Sequence, residues 1–221
     1  MAEAPAGKSR RVASLLAASV LVMSALGDPR AAAAPYRIDP ERSELVVRVF
    51  KAGAAAALAH DHVVRAAAWQ GKLDVTREPV ALAAEIVVDA RALEVDEPAV
   101  RARHGLDGEL SASDRKKTLE TMLGEVQLDV ARYPEIRFRT DEIDRAGADF
   151  RLSGELSLHG KTKRIALPLT ITEQDGGFTA HGTVRFRQSD FGITPYSAFL
   201  GAVRTQDEVE LVVTIVATPT R

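Results

Sequence analysis

The residues able to do chemistry in this chain fall into a few small groups. His60 and His62 stand two apart. On an extended strand that spacing puts both rings on one face, a geometry that zinc or copper can use, with His104, His159 or His181 as candidate third ligands. The competing account is a half-buried, hydrogen-bonded polar rim where a strand begins. It is favoured by the absence of cysteine and of a second clustered histidine pair. His159 has Ser157 two residues back on the same face, but no G-x-S-x-G frame surrounds that serine, so His159 reads as a turn residue rather than a base. Asp190 and Asp207 are the acids that could work as a glycosidase pair, although acids near turns ordinarily accept from backbone amides. Lys161, Lys163, Arg164, Arg185 and Arg187 could meet a phosphate or lipid head group, or simply form a solvated exterior. The reading assigns no catalytic residue, no metal and no cofactor, and the expected protein is not an enzyme.

The elements that must position these residues repeat with a period of two. Val80–Asp89 sets Leu82, Ala84, Ile86 and Val88 on one face, and residues 135–141 alternate Ile136 and Phe138 with Arg137 and Arg139. Residues 151–159 set Leu152, Gly154, Leu156 and Leu158 against polar neighbours. Residues 164–172 do the same with Ile165, Leu167, Leu169 and Ile171. Residues 178–188 put Phe178, Ala180 and Phe186 opposite His181, Arg185 and Arg187, while 43–50 is rich in β-branched residues and 208–217 is apolar on both faces. Such alternation describes half-buried strands sharing one interior. His159-Gly160-Lys161-Thr162 and Gln174-Asp175-Gly176-Gly177 read as tight turns joining antiparallel neighbours. One segment, 113–123, opens with capping residues, stops at Gly124 and reads as a helix, with Met122 as a candidate lid residue. Residues 93–111 carry many charges and little periodicity and read as a solvated loop. The small-residue stretch 53–59 is open to two readings, close ligand approach or a short helix.

The chain has 221 residues, 46% hydrophobic, with a formal charge of −2 and no cysteine. Disulfides and thiolate chemistry are therefore excluded, and no basic excess points to nucleic acid. The first 34 residues differ from the rest. Lys8, Arg10 and Arg11 precede an uncharged run, 12–26, followed by Gly27-Asp28-Pro29-Arg30 and four alanines. That is the layout of a cleaved secretory signal peptide. The apolar run is shorter than the roughly 20 residues of a spanning helix, so no membrane span is expected after cleavage. Ser9-Arg10-Arg11 also resembles a twin-arginine export signal. Cleavage removes four cations and two acids, leaving a formal charge of −4. Residues 35–221 show no linker and no repeat and read as one domain, expected in the periplasm or outside the cell. About eight strands fit either a sandwich or a closed barrel, and pattern alone leaves both open.

Several phrases resemble the YceI-like family of exported polyisoprenoid-binding proteins. They are Tyr36-Arg37-Ile38-Asp39-Pro40-Glu41-Arg42-Ser43, Ala131-Arg132-Tyr133-Pro134-Glu135-Ile136-Arg137-Phe138 and Leu156-Ser157-Leu158-His159-Gly160-Lys161-Thr162-Lys163. Ser189-Asp190-Phe191-Gly192-Ile193 and the stretch 201–209 complete the set, which spans about residues 35–217. The resemblance implies an all-β, eight-stranded antiparallel lipocalin-like barrel, with one short helical segment in a long loop. It implies a cavity for an isoprenoid lipid, a quinone or prenyl lipid, and a homodimer as one assembly open to the chain. On that reading Ile86, Val88, Met122, Phe138, Leu156, Leu158, Leu167, Leu169, Phe186 and Phe191 line the ligand site. The chain departs from the family's commoner form at His60-Asp61-His62, and in the longer, more charged loop 98–113, which is expected to reshape the mouth.

Overall fold

The computed structural model describes residues 34–220 apart from 78, 79 and 107. All of the expected signal peptide except Ala34 lies outside the described residues. Twelve strands belong to one antiparallel sheet: β1 (Ala34–Ile38), β2 (Glu44–Ala52), β3 (His62–Ala66), β4 (Trp69–Arg77), β5 (Val80–Asp89) and β6 (Leu93–Val95), then β7 (Glu135–Ala146), β8 (Asp149–Leu158), β9 (Lys161–Gln174), β10 (Gly177–Arg187), β11 (Ser197–Ala198) and β12 (Val203–Pro219).

The pairing register reduces these to eight runs. β1 and β2 lie end to end along β12, with Tyr36 opposite Pro219 and Glu44 opposite Thr214. The turn between them stands out beside Val216, whose N–H donates to Ser43 Oγ (2.9 Å) and whose carbonyl accepts from the Asp39 N–H (2.8 Å). β3 and β4 form the next broken run, β6 and β5 the one after, and β7, β8, β9, β10 and β12 follow in chain order. β1 pairs with both β4 and β12, which closes the ring. The result is a closed eight-stranded antiparallel barrel, as the resemblance implies; the alternating runs alone leave a sandwich equally open. Closure leaves those edges no unpaired row of backbone groups.

The ring is complete at one end and interrupted at the other. β7 begins at Glu135 opposite Asp89, the last residue of β5, and β6 continues beyond that point with only β3 as partner. Helix α2 (Ala112–Leu123) packs over this edge, with Leu119, Met122 and Leu123 against a buried cluster that includes Val64, Leu93 and Val95. Its N-cap is Ser111, two residues before the expected start, whose Oγ accepts from the Asp114 N–H (3.1 Å); the helix stops at Gly124 as expected. At the complete end Tyr36 and Phe178 meet with ring centroids 5.2 Å apart and form a floor.

The stretch 93–111 is a correction. It is not one solvated loop: it contains β6 and a second helix, α1 (Pro98–Arg103), with Val95, Asp96, Val100 and Arg101 all buried. Three residues of strand and six of helix are too short to show a period, and two of the charges that suggested solvent, Asp96 and Arg101, pair with each other inside the fold. α1 covers the outer face of the barrel, where Val100 packs on Val46 and Val63. The stretch 53–59 contains a single 3-10 turn, Ala56–Leu58, the helical alternative of the two readings.

Candidate functional site: the barrel interior

The inward face of every run lines one cavity of about 470 Å3. That volume lies within the roughly 300–1,000 Å3 typical of small-molecule sites. β5 contributes Leu82, Ala84, Ile86 and Val88, every second residue, and the same period brings in Leu152, Leu156 and Leu158 from β8 and Ile165, Leu167 and Leu169 from β9. Gly154 belongs to the same inward series. A Cβ there would stand 2.6 Å from the Arg139 carbonyl oxygen and 2.6 Å from the Phe138 ring, so a side chain at this point would displace the aromatic wall.

Nine of the ten residues expected at a ligand site line this cavity: Ile86, Val88, Met122, Phe138, Leu156, Leu158, Leu167, Leu169 and Phe186. Met122 reaches it from α2. Phe191 does not. It sits in a 3-10 turn (Gln188–Phe191), 1% exposed, with its ring edge-on to Phe186 at 5.4 Å. It belongs to the packing behind the wall, because the turn carries it out of the strand's alternation. Sequence reasoning passed over Leu45, Val47, Val49 and Val64 as liners, although their alternation is legible in 43–50 and 62–66.

The polar liners gather at the end of the barrel where α2 lies: His62, Lys117, Thr118, Thr121, Gln188 and Thr205 among them. His62 is the first residue of β3, in register with Val49, and points inward with Val64 and Ala66. Its Nδ1 lies 2.5 Å from Asp96 Oδ2. Asp96 Oδ1 accepts from the Val63 N–H (3.1 Å) and from Arg101 Nη1 (2.8 Å), and the guanidinium also donates to the carbonyls of Asp61 (2.8 Å) and Gly108 (3.0 Å). The Asp96 side chain is fully buried and that of Arg101 4% exposed. Burial alone would raise the Asp96 pKa, but the hydrogen bonds from His62, Val63 and Arg101 overcome it and hold the carboxyl below its usual value.

Most of the other candidates are held by partners of their own. His60 lies ahead of β3 and is exposed, so it shares no strand face with His62. His104 pairs with Glu44 (3.3 Å), and His181 lies against Thr214 Oγ1 (3.1 Å). No group of three histidine, aspartate or glutamate side chains able to hold a metal ion occurs among the described residues. His159 takes a left-handed turn conformation, lies 3.2 Å from the Phe191 carbonyl and is edge-on to Tyr133, while Ser157 hydrogen-bonds Thr162 across the hairpin. Asp207 caps the Ser189 turn, accepting from its N–H (2.8 Å) and Oγ (2.6 Å), bonds that lower its pKa. Arg164 pairs with Glu142, and Arg185 with Glu210 (2.9 Å), on the barrel's outer face.

Comparison with known proteins agrees with this geometry. Over 96 residues the chain is 31% identical to a UPF0312 protein of Pectobacterium carotovorum, a stretch covering 40% of this chain and 46% of that protein. A UPF0312 protein of Yersinia pestis is likewise 31% identical over 100 residues, 42% of this chain and 48% of the relative. The match thus spans about half the length of these curated relatives. Among solved structures, Burkholderia cenocepacia BcnA superposes with a TM-score of 0.62 at 16% identity, covering 82% of this chain and all of that one. The Campylobacter jejuni YCEI protein superposes with a TM-score of 0.51 at 12% identity, covering 72% of this chain and 84% of its own. At these identities the structures speak for the fold alone. The family model of the YceI-like domain matches residues 36–217, and the chain belongs to the YceI-like family.

Proposed function

We propose that this protein binds an isoprenoid or similar long apolar lipid, a quinone or a prenyl lipid, inside its barrel and performs no reaction on it. The observation that carries the reading is the cavity itself: about 470 Å3, walled by aliphatic and aromatic side chains from all eight runs, with polar groups gathered at one end. Each 100 Å2 of apolar ligand surface moved from water onto such walls contributes about 2.5 kcal/mol. A long hydrocarbon needs little else to bind. We further propose that residues 1–34 direct export and are removed, so that the mature protein works in the periplasm or outside the cell, as monomer or homodimer.

Native mass spectrometry of the protein purified from its export compartment, followed by organic extraction, tests both parts. The expected result is a discrete excess mass that extraction releases as a prenyl lipid, on a chain beginning near residue 35. A chain of bare mass that also takes up no added ubiquinone or polyprenol removes the lipid reading, and an N-terminus at residue 1 removes the export reading.

A further inference from the structure

The cavity is apolar along its walls, yet one inward side chain is braced in a way that hydrocarbon binding does not require. Gln188 donates its amide to the Gln206 carbonyl (2.9 Å), and Gln127 its own to the Thr194 carbonyl (2.8 Å), so these polar liners serve the backbone. His62 is held from behind instead. Its Nδ1 is tied to a fully buried carboxylate, which is itself tied to a buried guanidinium on α1. An ionised carboxylate can only accept, so the Nδ1 position carries the proton. In the neutral ring, Nε2 on the far side then presents a lone pair. No hydrogen bond to Nε2 occurs among the described residues, and the ring lines the cavity. A buried carboxylate that fixes the Nδ1 side of an inward imidazole is also the arrangement of a histidine whose other nitrogen has a partner to meet.

We propose that His62 is the polar anchor of the site: its Nε2 accepts the hydroxyl of the ligand's head group. The barrel therefore selects hydroxyl-bearing isoprenoids, prenols or hydroquinones, over the same chain without the O–H. This rests on the lipid-binding reading and narrows it. The hydroxyl sits at the mouth, beside the polar residues of α2, and the hydrocarbon runs toward the Tyr36–Phe178 floor. Asp96 and Arg101 are positioning residues; of the three, only His62 touches the ligand.

The test compares farnesol, farnesyl methyl ether and the hydrocarbon squalene in one buffer. The single tryptophan, Trp69, packs against the cavity wall and reports binding by fluorescence. Farnesol is expected to bind roughly tenfold more tightly than its methyl ether, the worth of one good hydrogen bond. His62→Phe should bring farnesol down to the ether's affinity and leave the ether unchanged. Should that variant not fold, nitrogen NMR of histidine-labelled wild type decides. A shift of His62 Nε2 on adding farnesol but not the ether supports the anchor, and no shift overturns it. Equal affinity of the wild type for farnesol and its ether overturns the anchor and leaves the carrier reading standing. Failure to bind any of the three overturns both.

Discussion

Replacing Arg101 with Met would show how far the fold depends on the charges buried in 93–111. In the native protein Asp96 receives three hydrogen bonds, from Val63 N, Arg101 Nη1 and His62 Nδ1, with no exposure of its side chain. Methionine keeps much of the aliphatic stem but leaves the carboxylate with two donors and without the guanidinium charge. The carbonyls of Asp61 and Gly108 also lose their donor. Breaking a buried pair from one side costs about 3–5 kcal/mol, a large part of the roughly 5–15 kcal/mol that holds a domain together. For a chain of this size each kcal/mol lowers Tm by about 2–4 °C, so a fall of roughly 6–20 °C is expected in thermal unfolding. Arg103→Met serves as the control, because that guanidinium is 56% exposed and its pair with Glu44 is worth below about 1 kcal/mol. The double variant Arg101→Met with Asp96→Leu should recover much of the loss, since no charge is left stranded. If Arg101→Met costs no more than Arg103→Met, the buried network is not what holds α1 and β3 together, and the reasoning fails.

Two further outcomes follow from the same geometry. Asp96 is held ionised below its ordinary pKa, so its contribution is fully present above the unfolded value and is lost as pH falls through the lower folded one. Urea midpoints followed through this acid range should therefore fall more steeply for the wild type than for Asp96→Asn, and parallel curves would contradict the assignment. Ala84 faces the cavity from β5, and Ala84→Phe should fill part of the 470 Å3 and abolish lipid uptake while the far-ultraviolet spectrum and cooperative unfolding persist. A variant that still carries extractable lipid would show that the ligand lies elsewhere.

Much of this architecture is legible from residues alone, for a local reason. A strand with one wet and one dry face must alternate, so Leu152 to Leu158 and Ile165 to Ile171 declare themselves, and a helix must cap its ends, so 112–123 does too. Alternation located most of the runs, and nine of the ten residues expected at the site line the cavity. Other features were not local. Leu156 and Leu167 would alternate identically around a solid core. Whether a cavity opens between them depends on the circumference of the ring, which is set when β1 pairs with both β4 and β12 across nearly the whole chain. Phe191 lies close in sequence to liners but leaves the strand at Arg187, and the turn points it into the packing. Asp96 and Arg101 sit in a stretch whose charge suggests solvent. They are buried because His62, Val63 and Asp61, over thirty residues away, supply the partners that make burial tolerable. The sequence by itself determined which residues alternate and roughly where the longer helix lies, since those depend on neighbours along the chain. Only the tertiary structure decided that the interior is hollow, that His62 is braced from behind by Asp96, and that Asp96 and Arg101 are buried, because those depend on closure and on partners distant in sequence.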